Sequence, residues 1–288
     1  MNNFNKTNKS KFYEDGYCVF RKVFTNEEVE LYKSEIKRII DDKSKEDQKD
    51  LHGLYNHPKL WDVIVNKKLL DNLRYLLGKE IVFLHDFSFL HKKDENYSWH
   101  RDNPCRRFGI GPDWDKSEIY DVARVGIYLQ SYDDTGSCLN LIPKSHLKRY
   151  TFQEIIRFIH NKLKNSKNII INKFRAKLSK FIGTNIQNDP GDCVIFNAKT
   201  WHSPSPSRKE KTAIFFAFGK RNKHAENYVD YHFNYRNQKG LKNFDIPNDY
   251  KEFLKKNNIY YEIPKDKKNI EGVFVPNVER SVNNLNET

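Results

Sequence analysis

The apolar positions of this chain change their period along its length, and the changes divide it into segments. Val29, Leu31, Ile36, Ile39 and Ile40 recur at the spacing of one helix face. Thr25-Asn26-Glu27-Glu28 stands just before them with capping-box spacing, so a helix is predicted from there to about Ile40. A charged loop, Asp41 to Asp50, follows. Helical spacing resumes through Leu60, Val63, Ile64, Leu69, Leu70, Leu73, Leu76 and Leu77, enough for two short helices, and stops at Gly78. From Ile81 the pattern is that of strands. Ile81 to Lys92 is one long run of β-branched and aromatic residues, and Val122 to Gln130 alternates. Shorter strands are predicted at Gly16–Phe20, Trp99–Asp102, Cys138–Ile142, Cys193–Phe196 and Thr212–Gly219. Between 149 and 186 helical spacing returns with Phe152, Ile155, Ile156, Ile159 and Leu163, then Phe174, Leu178, Phe181 and Ile182. Basic residues occupy much of what is left of that segment.

Helices, strands, a helical insertion and further strands suit a mainly β fold with flanking helices. The architecture expected is a double-stranded β-helix, a cupin-like jelly roll, with N-terminal helices and a helical insertion. Residues 1–10 are polar and expected to be loose. Residues 11–240 form the expected domain, with the insertion at 149–186, and 241–288 a C-terminal extension with a disordered end.

Composition narrows the function classes only a little. The 288 residues are 38% hydrophobic, enough to fill the core of one large domain. The net charge of +13 comes from lysines and arginines spread along the chain, so a solvated basic surface is expected and nucleic acid is not. Docking on an anionic surface through 149–186 stays open. Cys18, Cys105, Cys138 and Cys193 are far apart, with no CxxC pair and no sign of a disulfide framework. There is no apolar leader at the N-terminus and no long apolar run, so a cytoplasmic protein is expected. Oligomeric state is not legible.

Candidate chemistry sits in Trp99-His100-Arg101-Asp102. On an extended strand, residues two apart point to one face, so His100 and Asp102 project together. They supply two members of the two-histidine, one-carboxylate set that holds non-haem iron with open positions. His202, in Trp201-His202-Ser203-Pro204, is the candidate third ligand. Alternation turns Trp99 and Trp201 to the opposite face, where they pack as core. Arg124, Tyr128 and Gln130 share one face of their strand. The segment from Asn103 to Asp121 is long and irregular, and carries Arg106 and Arg107, which would suit an acidic group on a substrate.

At these residues the sequence resembles the phytanoyl-CoA dioxygenase family of Fe(II)/2-oxoglutarate-dependent oxygenases. Gly16-Tyr17 with Thr25-Asn26-Glu27-Glu28 is similar to the family's opening, and Trp99-His100-Arg101-Asp102 to its first iron motif. Gly136 to Leu139 with Ile142-Pro143-Lys144-Ser145-His146, and Pro190-Gly191-Asp192-Cys193-Val194-Ile195-Phe196 with Trp201-His202, follow in the family's order, spanning residues 11 to 220. The resemblance implies Fe(2+) on His100, Asp102 and His202, with 2-oxoglutarate and O2 as cosubstrates. It implies hydroxylation of a small organic molecule, with succinate and CO2 as coproducts. The retained Asp102 favours hydroxylation over halogenation.

One departure matters. Lys211 stands where the family places an arginine for the far carboxylate of 2-oxoglutarate, with Arg208 just before it. Lysine offers a point charge instead of a two-pronged grip. Lys92, Arg124 and Tyr128 are further candidates for contact with the cosubstrate. Two other readings stand beside the oxygenase: a non-enzymatic jelly-roll binding module with a vestigial metal site, and a zinc-dependent hydrolase. The substrate is not legible.

Overall fold

In a computed structural model of the chain, the residues described are 3–42, 50–94, 97, 99–103, 119–147, 151–163, 166–179, 181–230 and 246–263. The chain enters through helix α1 (Asn3–Asp15), strand β1 (Tyr17–Phe20) and helix α2 (Asn26–Asp41). Polar composition predicts loose residues up to 10, yet the helix begins at Asn3. Its far end is anchored: Phe12 is fully buried, and the Tyr13 hydroxyl donates to the Leu76 carbonyl and to Asp121, both at 2.9 Å. The box at the start of α2 is present, with Thr25 accepting from the Glu28 backbone and Glu28 accepting from the Thr25 backbone.

Strand β2 (Asp50–His52) leads through two tight turns into α3 (Asp62–Val65) and α4 (Lys67–Leu77), which ends at Gly78. Strands β3 (Ile81–Lys92) and β4 (Val122–Tyr128) follow, then the short helix α5 (Tyr132–Thr135) and strand β5 (Leu139–Leu141). The insertion contributes α6 (Phe152–Lys162) and α7 (Ile169–Ser179). After it come β6 (Thr184–Ile186), β7 (Cys193–Asn197), β8 (His202–Pro204), β9 (Lys211–Lys220), α8 (Lys223–Asp230) and α9 (Asn248–Lys256). The insertion is shorter than its apolar spacing suggests, because Thr184–Ile186 leaves it to join a sheet.

Six strands form one antiparallel sheet in the order β1-β7-β4-β9-β3-β2, and three form a second, β6-β5-β8. Alternation assigns the faces. Cys193, Ile195, Val125, Ile127, Ile214 and Phe216 point to the main core, which the N-terminal helices cover. Their neighbours Val194, Phe196, Tyr128 and Ala213 point the other way and pack with Leu139, Leu141 and Ile186 of the second sheet. The space between the sheets is therefore the interior of a jelly roll. Tyr250, Leu254 and Ile259, which the sequence suggests belong to an extension, lie in the main core, and the Phe83 amide donates to the Ile259 carbonyl at 2.8 Å.

Strand β3 is not regular. Phe83 pairs with Phe218 and Phe87 with Phe216, so extra residues bulge out between them. His85 lies in the bulge with φ 59°. Its Nε2 meets the Tyr261 carbonyl at 2.6 Å.

Candidate metal centre

Two segments meet at the rim of the interior. His100 exchanges both backbone hydrogen bonds with His202, at 2.9 and 3.0 Å, as an isolated antiparallel bridge. The strand expected at Trp99–Asp102 is no longer than that one pair. The chain then leaves His202, and the amides of Asp102 and Asn103 both donate to the Ala198 carbonyl, at 2.9 and 3.1 Å. One segment thus links both flanks of the turn between β7 and β8. The turn is held by Asn197, whose side chain accepts from the Lys199 amide and donates to the Tyr120 carbonyl.

These backbone bonds bring the three predicted ligands together. One ligand atom from each of His100, Asp102 and His202 lies within 4.8 Å of the others. His100 Nε2 is 3.7 Å from Asp102 Oδ1, and His202 Nε2 is 3.4 Å from Asp102 Oδ2. His202 Nδ1 lies 3.0 Å from the Thr200 carbonyl, which fixes Nδ1 as the protonated nitrogen and leaves the Nε2 lone pair facing the cluster. The two imidazoles and the carboxylate therefore fit a divalent metal of the iron or zinc kind by donor chemistry.

Arg124 stands behind the cluster. Its Nε is 3.0 Å from Asp102 Oδ2, and its Nη1 pairs with Asp86 and lies 3.3 Å from the Tyr228 hydroxyl. Tyr228 donates to the same Asp86 oxygen at 2.9 Å. Burial alone would raise the Asp102 carboxyl, but His202 and Arg124 outweigh it and hold the group well below the usual carboxylate range. Burial also works against the charge of Arg124, which Asp86, Tyr228 and Asp102 more than restore. Asp102 thus stays a carboxylate, as a metal ligand must.

The opposite side of the same tripeptide faces the insertion. Arg101 donates to the Ser145 carbonyl at 2.6 Å and to Glu154 of α6 at 3.1 Å. Its guanidinium lies over the Trp201 ring at 4.6 Å, and that of Arg157 lies over the same ring at 3.6 Å. Trp99 packs with Ile142, Ile156 and Ile182, and Trp201 joins that cluster, as alternation predicts.

Further inside, Phe196 stands 4.7 Å from the His202 ring and shares a cluster with Tyr128 and Ala213. Lys211 starts β9 opposite Lys92 of β3 and is only 1% exposed. Its ammonium pairs with Asp94 and lies 5.4 Å from the Tyr128 ring centre. Burial lowers the Lys211 pKa, while Asp94 works to restore it. The Tyr128 hydroxyl is buried and has no hydrogen-bond partner among the described residues. Burial drives its pKa well up, so it is a proton donor. Lys92 and Lys211 set against the one acid Asp94 leave a net positive charge here, which with the spare Tyr128 hydroxyl suits a carboxylate at this end of the interior.

The remaining candidates lie elsewhere. Arg208 is exposed, with its guanidinium on the Asp133 and Tyr132 carbonyls. Gln130 caps the β9 edge, accepting from the Thr212 amide at 2.7 Å. Arg106 and Arg107 lie outside the described residues. Sequence reading missed Asp86, Asp94, Arg101 and Tyr228. None of the four carries a local signal: Asp86 lies in a strand that also holds His85, Ser88 and His91, so an acid there does not stand out.

The sequence profile described as Phytanoyl-CoA dioxygenase (PhyH) matches residues 12–213. No curated protein matches the chain in sequence. Solved structures share the fold at low identity. HygX from Streptomyces hygroscopicus, with nickel and 2-oxoglutarate bound, aligns with TM-score 0.56 and 16% identity, covering 75% of this chain and 87% of HygX. EctD from S. alaskensis, with 2-oxoglutarate and 5-hydroxyectoine, gives TM-score 0.53 and 16% identity over 74% of each chain. The non-heme alpha ketoglutarate dependent epimerase SnoN from nogalamycin biosynthesis gives TM-score 0.53 and 13% identity, covering 75% of this chain and 83% of SnoN.

Proposed function

The chain belongs to the phytanoyl-CoA dioxygenase family of Fe(II)/2-oxoglutarate-dependent oxygenases, and from that membership we propose that it hydroxylates a small organic substrate using Fe(II), O2 and 2-oxoglutarate. The observation that carries the reading is the meeting of His100, Asp102 and His202 at one point of the jelly-roll interior. In this reading the three side chains hold the iron, leaving the positions that 2-oxoglutarate and O2 need. When bound, iron with these cosubstrates supplies the oxidising power, and 2-oxoglutarate leaves as succinate and CO2.

The protein's own part is placement. Thr200 holds the His202 ring in one tautomer. Arg124, braced by Asp86 and Tyr228, holds Asp102 charged and oriented. Lys211 and Tyr128 receive the far carboxylate of 2-oxoglutarate, with Lys92 adding positive charge opposite. The burial of Lys211 supports it over Arg208 in this role, since the exposed Arg208 guanidinium is engaged by the Tyr132 and Asp133 carbonyls. The apolar walls formed by Phe196, Leu139 and Leu141 exclude water from the reacting centre. SnoN is named as an epimerase, so the fold does not choose the outcome: hydroxylation rests on the family, and the retained Asp102 argues only against halogenation.

The test is titration of the purified protein with Fe(II) and 2-oxoglutarate, followed by succinate measurement under air. Binding of both and slow succinate formation without added substrate are expected. His202→Ala should abolish Fe(II) binding. Zn(II) binding with no 2-oxoglutarate binding or turnover would overturn the oxygenase reading in favour of a hydrolase, and failure to bind any metal would favour a binding module.

A further inference from the structure

The helical insertion presents the wrong face to water. On α6, the inward positions are Glu154, Ile156 and His160, all buried. The outward positions Phe152, Ile155 and Phe158 are also apolar, and Phe152 is 76% exposed. Ile169, Ile170 and Phe174 continue this character on α7, with Ile170 73% exposed. Of eleven large hydrophobic side chains exposed among the described residues, eight lie between 152 and 181. Helix α6 is thus amphipathic with its apolar side outward and two polar residues, Glu154 and His160, on its inward side, and exposed apolar side chains gathered on one side of a helix mark an interaction surface.

Charge says what covers it. Residues 151–183 hold eight lysines and arginines and a single acid, Glu154. That acid is buried against Arg101, so it offers no negative charge to a partner. A second copy of the chain would set one basic surface against another and is disfavoured. Nucleic acid would engage the cations but leave exposed isoleucine side chains with nothing to stack on or pair with. Exposed Phe and Ile ringed by Lys and Arg match the boundary of an anionic lipid bilayer, where acyl chains take the apolar side chains and headgroups the cations.

We propose that α6 and α7 dock the protein on an anionic membrane surface, inserting Phe152, Phe158 and Ile170 shallowly while Lys162, Lys173 and Lys177 meet lipid headgroups. None of the described helices is long and apolar enough to cross a membrane, so the attachment is peripheral. The inner side of α6 meanwhile stays fixed to Arg101 and Trp201, beside the metal ligands.

Co-sedimentation of the full chain with phosphatidylcholine vesicles, with and without phosphatidylserine, tests this. Retention on the anionic vesicles only, weakened by salt, is expected. Two variants separate the components: Phe152→Ser/Phe158→Ser/Ile170→Ser, and Lys162→Glu/Lys173→Glu/Lys177→Glu. Each should reduce vesicle affinity by about tenfold or more, with circular dichroism and Fe(II) affinity unchanged, since all six side chains are exposed. No retention of the unaltered protein on anionic vesicles at low salt overturns the proposal. So does retention that neither variant weakens. A dimer in place of vesicle binding, broken by the apolar variant, would identify a second copy as the occupant. Salt-sensitive retention on DNA or RNA, without vesicle binding, would identify nucleic acid.

Discussion

Arg124 touches two carboxylates at once, and only one of them was visible in advance. Its place on the inner face of β4 follows from alternation, which puts it level with Tyr128. Its partner Asp86 follows from the bulge in β3, which no local sequence signal announces. The Arg124 guanidinium is engaged by Asp86, Asp102 and Tyr228, so in the proposed reading it would act through Asp102 and not on the cosubstrate. Arg124→Lys and Asp86→Asn should each weaken Fe(II) binding by about 10–100-fold, read by anaerobic titration. Cosubstrate affinity should separate the two basic candidates. Lys211→Ala should raise the 2-oxoglutarate Kd by about tenfold or more, since a buried charge is lost from the carboxylate site. Arg208→Ala should leave that Kd within about twofold, because the exposed Arg208 guanidinium meets the Tyr132 and Asp133 carbonyls and a solvated charge contributes little. Equal effects of the two substitutions would return Arg208 to the site.

Among elements, long patterned runs were the most legible. Ile81–Lys92 is one strand over the predicted range, and the start of α2 carries its predicted box. The short pieces were not. Thr184–Ile186 has too few residues to show a period, and it becomes a strand only because Leu139–Leu141 pairs with it. The helix at Asn248–Lys256 carries just Tyr250 and Leu254 as buried anchors, so its spacing gives a weak signal. The insertion's helices were expected, but not what they hold. Glu154 and Arg101 form a pair with side chains 5% and 7% exposed. Glu154→Ala would strand the Arg101 charge, and a loss of about 3–5 kcal/mol is expected in urea denaturation. Glu154→Gln keeps an acceptor for Arg101 and should lose less than Glu154→Ala.

At the scale of the whole molecule, stability should fall in mild acid. Burial pushes the His85 and His146 pKa values down to about 4 from an ordinary 6.5. The unfolded chain therefore binds protons that the folded one refuses, and stability is lost as pH falls below 6.5 until the folded pKa values are reached. Each histidine should account for about 2 kcal/mol by pH 5. Denaturation midpoints at neutral and mildly acidic pH check this. His85→Asn, which suits the left-handed backbone there, should flatten the pH dependence relative to the unaltered protein. Arg101 finally has a consequence for the molecule as a thermodynamic device. One extended tripeptide carries His100 and Asp102 on one side and, through Arg101, the insertion on the other. Two binding events that share so short a rigid element obey linkage: whatever factor vesicle attachment imposes on Fe(II) affinity, Fe(II) must impose on vesicle attachment. Measuring either affinity with the other partner present and absent gives the same coupling number, so a single titration series reports whether the outer surface and the metal communicate at all.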